Sequence, residues 1–391
     1  MKTLSKTKNI SDKKKDFYGL KLGILGGGQL GMMLIQTATN YNVHCYVLDP
    51  DKDAPCKAFS KEFFCGDLLD FDTVYKFGKS LDLITIEIEH VNVEALKKLQ
   101  SEGVTVFPQP EIIEMIQDKG LQKEFYKKNN IPTPDFILIN DSNELKKNTS
   151  FFPAVQKLRK LGYDGRGVYK INSADDVKNA FNAPSVLEKL ASLEKEISII
   201  VSRNLDGEIK AFPPIELVFK EDANLVDYLF SPANISEEME NKACGIATNI
   251  IEKLNLVGIL AVEMFVTKNG EILVNEIAPR PHNSGHHTIE GNLTSQFEQH
   301  LRAILNFPLG ETDLIMPSLM VNLLGEEGFS GEAKFQGLEE ILKIPGIYVH
   351  LYGKKLTREN RKMGHVTIID KDMKSGLKKV KLIKETIKVI S

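Results

Sequence analysis

Short apolar runs alternate with helical stretches through the first third of the chain. After residue 20, the runs KLGIL, VHCYVLD, EFFCG, LDLITIEIE and VTVFP predict five strands, with helical stretches between them that begin with QLGMMLIQTATN. Alternation of this kind is typical of a parallel sheet with crossover helices. We therefore predict a Rossmann-like N-terminal domain over residues 21–115, preceded by a flexible lysine-rich tail at residues 1–20.

The pattern changes beyond the linker-like IPTPD at residues 131–135. Predicted strands then lie closer together, and glycines cluster over residues 161–167. A long amphipathic helix is predicted from Ser236 to Leu254, because acidic residues in its first turn interact favourably with the helix dipole. The apolar strands GILAVEMFV and EILVNEI follow it. This spacing predicts a central domain of mixed α+β structure over residues 116–312.

A third region begins past Pro308. Strands are predicted near SLMVNLLG and IYVHLYG, and a lysine-rich helix is predicted through SGLKKVKLIKETIKVI. We expect a small β-rich C-terminal domain over residues 313–391. The whole chain is thus predicted to combine α/β and α+β architecture.

Composition narrows the classes of protein that remain. The 391 residues are 42% hydrophobic and 26% charged, which is ordinary globular usage and disfavours disorder. No apolar run approaches the ~18 residues of a membrane span, and a net charge of −3 without a basic stripe disfavours nucleic acid as a partner. The four cysteines form no CxxC pair and are interpreted as reduced thiols. A multi-domain enzyme is the expectation.

A glycine-rich loop joins the first predicted strand to the first helix. Gly26, Gly28 and Gly31 have G-x-G-x-x-G spacing, and Asp49 ends the next strand. This context matches a dinucleotide-binding fingerprint, so an NAD-linked oxidoreductase is one hypothesis. Backbone N–H groups at a helix N-terminus also bind other phosphate-bearing or polar substrates. A purely structural tight turn is the third possibility.

Two glutamates are predicted to face each other across a hairpin. Asn269-Gly270 is a preferred two-residue turn, and that turn places Glu263 opposite Glu276 among apolar neighbours. Adjacent carboxylates need a compensating cation, and Mg²⁺ is typically bound by one or two carboxylates plus substrate phosphates. A solvent-facing pair and a retaining glycosidase pair remain alternatives, although the absence of Trp disfavours a sugar cleft.

The segment APRPHNSGHHT, directly after the second of these strands, is rich in hydrogen-bond donors. Because it lies beside the predicted magnesium pair, we interpret it as a pocket for a small oxyanion or an acyl phosphate, with a zinc site as the alternative. The candidate catalytic donors are Arg280, His282, Asn283, Ser284 and His286.

Several motifs in order resemble one enzyme family. VQKLRKLGYDGRGVY, VLEKL, AVEMF and NEIAPRPHNSGHHT resemble the ATP-grasp carboxylate–amine ligases. GGGQLG, EIE and YGK…RKMGH narrow the resemblance to the branch that carboxylates 5-aminoimidazole ribonucleotide with bicarbonate in purine biosynthesis. The resemblance implies an ATP-grasp fold in the central domain, with a mobile subdomain at about residues 135–190. It also implies a cytoplasmic, homodimeric carbon–nitrogen ligase that uses ATP and Mg²⁺ or Mn²⁺; a formate-using sister ligase remains an alternative.

The resemblance also implies roles for individual residues. Lys119 and Lys157 would contact ATP phosphates, Glu196 would hold the ribose, and Glu263 and Glu276 would bind the metal. Glu188 and Leu190 would contact the adenine through backbone groups. The remaining nucleotide-binding candidates are the loop Gly162, Tyr163, Asp164, Gly165, Arg166 and Gly167, together with Lys189 and Asn275. The ribonucleotide-binding candidates are Gln29, Leu30, Glu89, Tyr163, Arg166, Lys354, Arg361 and Lys362, with Arg358 as the alternative to Arg361.

Overall fold

The computed structural model describes residues 19–160, 162, 167–220 and 225–391. The predicted tail therefore lies almost entirely outside the described residues. So do four candidate loop residues, Tyr163, Asp164, Gly165 and Arg166. Within the described ranges, no helix is both long and apolar enough to span a membrane.

The N-terminal region forms the predicted parallel sheet. Its strands lie in the order β3-β2-β1-β4-β5, and every pair is parallel. Strand β4 is shorter than predicted, because the chain leaves the sheet before the EIE motif. The elements are β1 (Lys21–Leu25), α1 (Gln29–Asn40), β2 (His44–Asp49), β3 (Glu62–Cys65), α2 (Phe71–Gly78), β4 (Leu83–Ile86), α3 (Val93–Ser101) and β5 (Thr105–Val106).

Two short helices lead into a small antiparallel sheet. They are α4 (Pro110–Ile116) and α5 (Lys119–Lys128). The strands of the small sheet have the order β6-β9-β7-β8, so β9 pairs on both sides. The elements are β6 (Phe136–Ile139), α6 (Ser142–Lys147), β7 (Ala154–Leu158), β8 (Val168–Ile171) and β9 (Ser185–Lys189).

A larger antiparallel sheet forms the floor of the central region. The predicted long helix α7 covers it, with Ser236 accepting a hydrogen bond from the Met239 N–H and Asn255 ending the helix in a left-handed conformation. The elements are β10 (Leu193–Arg203), β11 (Ile209–Ala211), β12 (Ile215–Phe219), β13 (Val226–Ser231), α7 (Glu237–Leu254), β14 (Gly258–Thr267), β15 (Ile272–Ala278), α8 (Thr288–Gly291) and α9 (Gln296–Ile304).

The hairpin between β14 and β15 forms the predicted glutamate pair, but its strand register near the turn differs from the predicted one. Val266 pairs with Ile272 and the Thr267 N–H bonds to the Glu271 carbonyl, so the loop has three residues and the predicted two-residue turn is wrong. Gly270 adopts φ +78°, as the last residue of such loops requires. A β-bulge on β15 then shifts the pairing by one residue. The two shifts cancel, and Glu263 lies opposite Glu276 as predicted.

The C-terminal strands extend the central sheet rather than forming a separate one. Strand order across the floor is β15-β14-β10-β12-β13-β16-β21-β19. The predicted C-terminal helix ends at Thr386, because the last residues pair as a strand with β18. The elements are β16 (Ser318–Leu324), β17 (Ser330–Glu332), β18 (Lys334–Gln336), α10 (Leu338–Ile341), β19 (Ile347–Leu351), β20 (Leu356–Arg358), β21 (Lys362–Ile369), α11 (Met373–Thr386) and β22 (Lys388–Ile390).

One apolar core joins the N-terminal region to the central region. Helix α1 contributes Met33 and Leu34, and α9 contributes Phe297 and Leu301 to the same cluster. Beside this core, the Thr85 hydroxyl lies 2.9 Å from Nε2 of buried His300.

Candidate active site

The paired glutamates lie on the floor of the site. Glu263 is in β14 and Glu276 is the residue after the β-bulge on β15. Burial, followed by the charges of Glu276 and Glu196, raises the pKa of Glu263 above its ordinary value. Lys119 instead holds the pKa of Glu276 below its ordinary value. The charge of Glu276 thus opposes ionisation of Glu263, and a divalent cation shared by the two carboxylates would relieve that repulsion.

Two lysines meet the acidic floor from the opposite side. Lys119, at the start of α5, forms an ion pair with Glu276. Lys157, on β7, donates to the Asn275 amide oxygen at 2.7 Å. A bulge re-aims neighbouring side chains, and here Asn275 and Glu276 both contact lysines of the site. Lysines at these places suit the phosphates of a nucleotide, as the resemblance implies.

The Glu188 carboxylate forms ion pairs with two lysines, and the adenine contact expected of the Glu188 backbone stays a prediction. The carboxylate is buried between Lys123, at 2.9 Å, and Lys157, at 2.8 Å. Burial opposes its ionisation, yet the two ammonium groups hold the pKa of Glu188 below its ordinary value. Burial also lowers the pKa of Lys123 to about 8. Sequence reasoning missed Lys123, although it lies four residues after Lys119 and so on the same helix face.

The candidate adenine and ribose contacts lie around the end of β9. The Leu190 N–H already donates to the Pro153 carbonyl at 3.1 Å. The Lys189 ammonium donates to the carbonyls of Phe151 and Phe152. Glu196 lies on β10, where burial raises its pKa to about 7. The nucleotide contacts of these residues, like those of half-buried Gly162 and of Gly167, stay predictions.

A partly buried ion pair between Asp118 and Arg159 lies next to both lysines in the chain. Asp118 caps α5 by accepting from the Gly120 N–H at 2.8 Å. The same carboxylate accepts hydrogen bonds from Nε and Nη2 of Arg159, each at 2.8 Å. Arg159 follows β7 and Lys119 follows Asp118, so this fork fixes the distance between the strand of Lys157 and the helix of Lys119. Sequence reasoning missed this pair, because 40 intervening residues separate its members.

The predicted donor run forms a tight turn beside the acidic pair. Nε2 of His282 lies 3.6 Å from Glu263 Oε1, and Nδ1 lies 2.9 Å from the Ser284 hydroxyl. The Ser284 hydroxyl also lies 2.9 Å from that of Ser198. Asn283 is half-buried within the same turn. The arrangement presents polar hydrogen atoms next to the carboxylates, which suits a small oxyanion.

The histidines of this run do not form a zinc site. His286 is fully buried and stacks on Phe297, with ring centroids 5.9 Å apart. Nδ1 of His287 lies 2.8 Å from the Ser318 hydroxyl, away from His282. Burial lowers the pKa of both His286 and His287 below the ordinary value, which favours the neutral form of each ring. The zinc alternative is therefore wrong for these three side chains.

Arg280 connects the donor run to the N-terminal region. Its Nε lies 2.8 Å from Oε1 of Glu89, a candidate substrate contact. Both side chains are less than one-fifth exposed. The structure thus brings together a predicted catalytic residue and a predicted substrate-binding residue from different domains.

The glycine-rich loop is filled by the protein's own carboxylates. Asp49 accepts from the Gly27 N–H at 2.6 Å, and Glu87 accepts from the Leu30 N–H at 3.2 Å. A Cβ on Gly28 would lie 2.4 Å from Glu87 Oε1, so glycine is needed there for the carboxylate to approach. These contacts favour the structural interpretation of the loop over a dinucleotide site. Gln29, half-buried at the start of α1, stays a candidate substrate contact.

A basic arm from the C-terminal region reaches the same cleft. The Lys354 ammonium donates to the Lys362 carbonyl at 2.9 Å and lies 5.5 Å from the centroid of the Tyr352 ring. The charge of Lys362 acts on Glu263, which places this lysine near the acidic pair. Arg361 donates to the Leu356 carbonyl at 2.7 Å, whereas Arg358 is exposed on β20.

Family models match the chain in three consecutive segments. A ribonucleotide synthetase preATP-grasp domain matches residues 20–117, an ATP-grasp domain matches residues 124–297, and a phosphoribosylaminoimidazole carboxylase C-terminal domain matches residues 318–379. These segments follow the order of the three predicted domains. The NAD-linked oxidoreductase hypothesis is therefore wrong.

Individual proteins match over most of the chain. The chloroplastic phosphoribosylaminoimidazole carboxylase of Vigna aconitifolia is 40% identical over 369 residues, which cover 92% of this chain; the chain spans 65% of that relative's length. The N5-carboxyaminoimidazole ribonucleotide synthetase of Thermotoga maritima has a TM-score of 0.88 at 45% identity, covering 95% of this chain and 99% of that one.

A third match is a solved complex. The N5-carboxyaminoimidazole synthase of Aspergillus clavatus, solved with ADP and 5-aminoimidazole ribonucleotide, has a TM-score of 0.86 at 32% identity, covering 95% of this chain and 99% of that one. Together with the acidic pair, the lysines above it and the donor run beside it, these matches establish that the chain belongs to the N5-carboxyaminoimidazole ribonucleotide synthetase family of ATP-grasp ligases.

Proposed function

We propose that this chain carboxylates 5-aminoimidazole ribonucleotide with bicarbonate and ATP. The products are N5-carboxyaminoimidazole ribonucleotide, ADP and phosphate, and the reaction belongs to de novo purine biosynthesis. The single observation that carries the proposal is the convergence of the Glu263–Glu276 pair, two lysines and the His282 turn in one cleft. Names of relatives with this fold supply the substrate class.

Lys119 and Lys157 bind the phosphates of ATP in this proposal. In the structure, Lys119 pairs with Glu276, and Lys157 pairs with Glu188 and Asn275. A bound triphosphate offers both ammonium groups new anionic partners and spreads the charge that develops on the transferred phosphoryl group. The loop at residues 162–167 is proposed to cover these phosphates and exclude water.

Glu263 and Glu276 fit a divalent cation, which we propose to be Mg²⁺. Their donor set consists of hard carboxylate oxygens, and burial together with the charge of Glu276 raises the pKa of Glu263, a cost that a shared cation would offset. When bound, Mg²⁺ would neutralise phosphate charge and so make the γ-phosphorus easier to attack. Asn275 stays beside the pair through its hydrogen bond with Lys157.

Arg280 and the His282–His286 turn hold bicarbonate in this proposal. A bicarbonate oxygen attacks the γ-phosphorus of ATP, the bond to the β-phosphate oxygen breaks, and ADP leaves carboxyphosphate behind. That intermediate collapses toward CO₂ and phosphate, the exocyclic amine of the ribonucleotide forms its C–N bond to the released carbon, and the phosphate takes the proton that the amine loses. Nε2 of His282, close to Glu263, and the fixed Arg280 guanidinium supply donors for the oxyanions.

The ribonucleotide lies between the N-terminal region and the basic arm in this proposal. Glu89 and Gln29 contact it on one side, and Lys354, Lys362 and Arg361 bind its phosphate on the other. A homodimer and a cytoplasmic location are further proposals that rest on the family resemblance, and size-exclusion chromatography with light scattering tests the first.

The experiment measures ADP release and carbon incorporation with purified protein. ATP, Mg²⁺, labelled bicarbonate and 5-aminoimidazole ribonucleotide should give labelled product, and omission of the ribonucleotide should remove it. Glu276→Gln should lower kcat by about a hundredfold or more, because one of the two proposed metal ligands is lost. The exposed Glu271→Gln, in the same hairpin, is the matched control. Incorporation of formate instead of bicarbonate, or full turnover by Glu276→Gln, would contradict the proposal.

A further inference from the structure

Gln296 lies behind the donor run and belongs to no motif discussed so far. It is the first residue of α9 and is fully buried. Its Oε1 accepts from the His282 N–H at 2.9 Å, and its Nε2 donates to the His282 carbonyl at 2.7 Å. A Cβ on Gly285 would lie 2.3 Å from Oε1, so the amide fills the space inside the turn.

The same amide also determines which nitrogen of His286 carries the proton. Because Oε1 accepts a backbone N–H, the amide orientation is fixed, and Nε2 has one hydrogen left after bonding the His282 carbonyl. That hydrogen points to Nδ1 of His286, 3.1 Å away. Nδ1 must therefore accept, and the neutral ring carries its proton on Nε2. This Nε2–H has no hydrogen-bond partner among the residues that the structure describes.

The ring of His282 is oriented by the backbone of Ser284, within the same turn. The Ser284 N–H donates to Nδ1 of His282 at 3.3 Å, which leaves the proton on Nε2, the atom 3.6 Å from Glu263. One amide thus holds both ends of the segment from residue 282 to residue 286. Its loss would let the turn relax without removing any group that contacts a substrate.

We propose that Gln296 is a positioning residue that fixes the His282 backbone and the His286 tautomer, and thereby sets the geometry of the oxyanion pocket. The inference rests on the proposed function only in naming bicarbonate as the anion. A residue of this kind acts on the anion and its intermediate rather than on the nucleotide. Its loss should therefore affect bicarbonate use and the coupling of ATP hydrolysis to carboxylation.

The chain supplies a matched control three residues along the same helix. Gln299 is also fully buried, and its amide holds the Gly310 backbone in the same manner, at 2.9 Å and 2.8 Å. Gln299→Met and Gln296→Met therefore remove the same kind of amide clamp from the same helix. Gln296→Glu has nearly the same shape but turns a donor toward His286 into an acceptor, and it serves where the methionine variant does not fold.

Steady-state kinetics separates positioning from simple destabilisation. Gln296→Met should raise the KM for bicarbonate at least tenfold and lower the carboxylated product formed per ADP, with the KM for ATP within twofold of the unaltered protein. Gln299→Met should change the melting temperature to a similar extent, but it should leave both KM values and the carboxylated product formed per ADP unchanged. Equal kinetic effects of the two variants, or an effect of Gln296→Met on ATP alone, would overturn the proposal.

Imidazole nitrogen NMR tests the tautomer without any turnover. Protein labelled with ¹⁵N-histidine should show the Nε2–H pattern for His286, assigned by its loss in His286→Gln, and Gln296→Glu should change that pattern. An Nδ1–H pattern in the unaltered protein would overturn the assignment. Failure of bicarbonate-dependent ADP release in the unaltered protein would instead count against the proposed function, and the NMR result would stand.

Discussion

Replacing Glu87 with glutamine should stabilise the protein at high pH and leave its stability almost unchanged at low pH. The Glu87 carboxylate lies inside the glycine-rich loop, where it accepts from the Leu30 N–H. Burial raises its pKa to about 7, although the charge of Arg280 acts in the opposite direction. Glutamine retains the shape and an acceptor oxygen but carries no charge, so the substitution removes the buried negative charge alone.

The magnitude follows from the difference between the folded and unfolded pKa values. Below pH 4.5 the carboxyl is protonated in both states, and the substitution has little effect. As the pH rises from 4.5 toward 7, the unfolded chain ionises first, so the native protein loses stability over this window. At about 1.4 kcal/mol per pKa unit, the free energy of unfolding is about 3 kcal/mol lower at pH 8 than it would be without this shift. Glu87→Gln avoids this loss of stability.

Urea unfolding followed by circular dichroism at pH 5 and pH 8, without nucleotide, measures this effect. Glu87→Gln should have a higher midpoint than the unaltered protein at pH 8, and the two midpoints should lie much closer together at pH 5. Glu62→Gln removes the same charge from an exposed site of the same domain and is the control. A lower midpoint for Glu87→Gln at pH 8, or an equal difference at both pH values, would refute the reasoning.

Three further experiments test other contacts. Asp118→Asn keeps the cap of α5 but breaks the fork with Arg159. Because Arg159 is about one-quarter exposed, the free energy of unfolding in urea should fall by about 1–3 kcal/mol. The KM for ATP should rise severalfold. In a double-mutant cycle of Lys123→Met and Glu188→Gln, thermal unfolding should give a coupling energy of about 1–3 kcal/mol. Additive effects of the two substitutions would contradict an interaction between these buried side chains. Gly270→Ala should cost about 1 kcal/mol in urea unfolding through its positive φ alone, since a Cβ there meets nothing within 4 Å.

The periodic elements could be predicted because local pattern determines them. Helix α1 has the predicted limits, and the first strand and the long helix α7 agree with apolar spacing and capping residues. The hairpin shows the limit of this reasoning. Its predicted turn was wrong, and the glutamate pair formed because a bulge restored the register, a feature that alternation of side chains does not encode.

The parts of the site that sequence reasoning missed depend on long-range contacts. The Asp118–Arg159 fork and the clamp of Gln296 on His282 join segments that no periodicity relates. Glu87 was overlooked for another reason: its carboxylate occupies a loop whose glycine spacing equally suits an external anion. Only the packing of the chain distinguishes a loop that binds its own side chain from one that binds a ligand.

The continuity of the central sheet has a consequence for dissecting the protein into fragments. Strand β16 bonds to β13 on one side and to β21 on the other, and Leu319 and Val321 share a core with Phe230. A fragment ending near residue 312 would therefore expose the backbone edge of β13 and its apolar neighbours to solvent. Open edges of this kind recruit other strands, so such a fragment should self-associate rather than behave as an independent nucleotide-binding module.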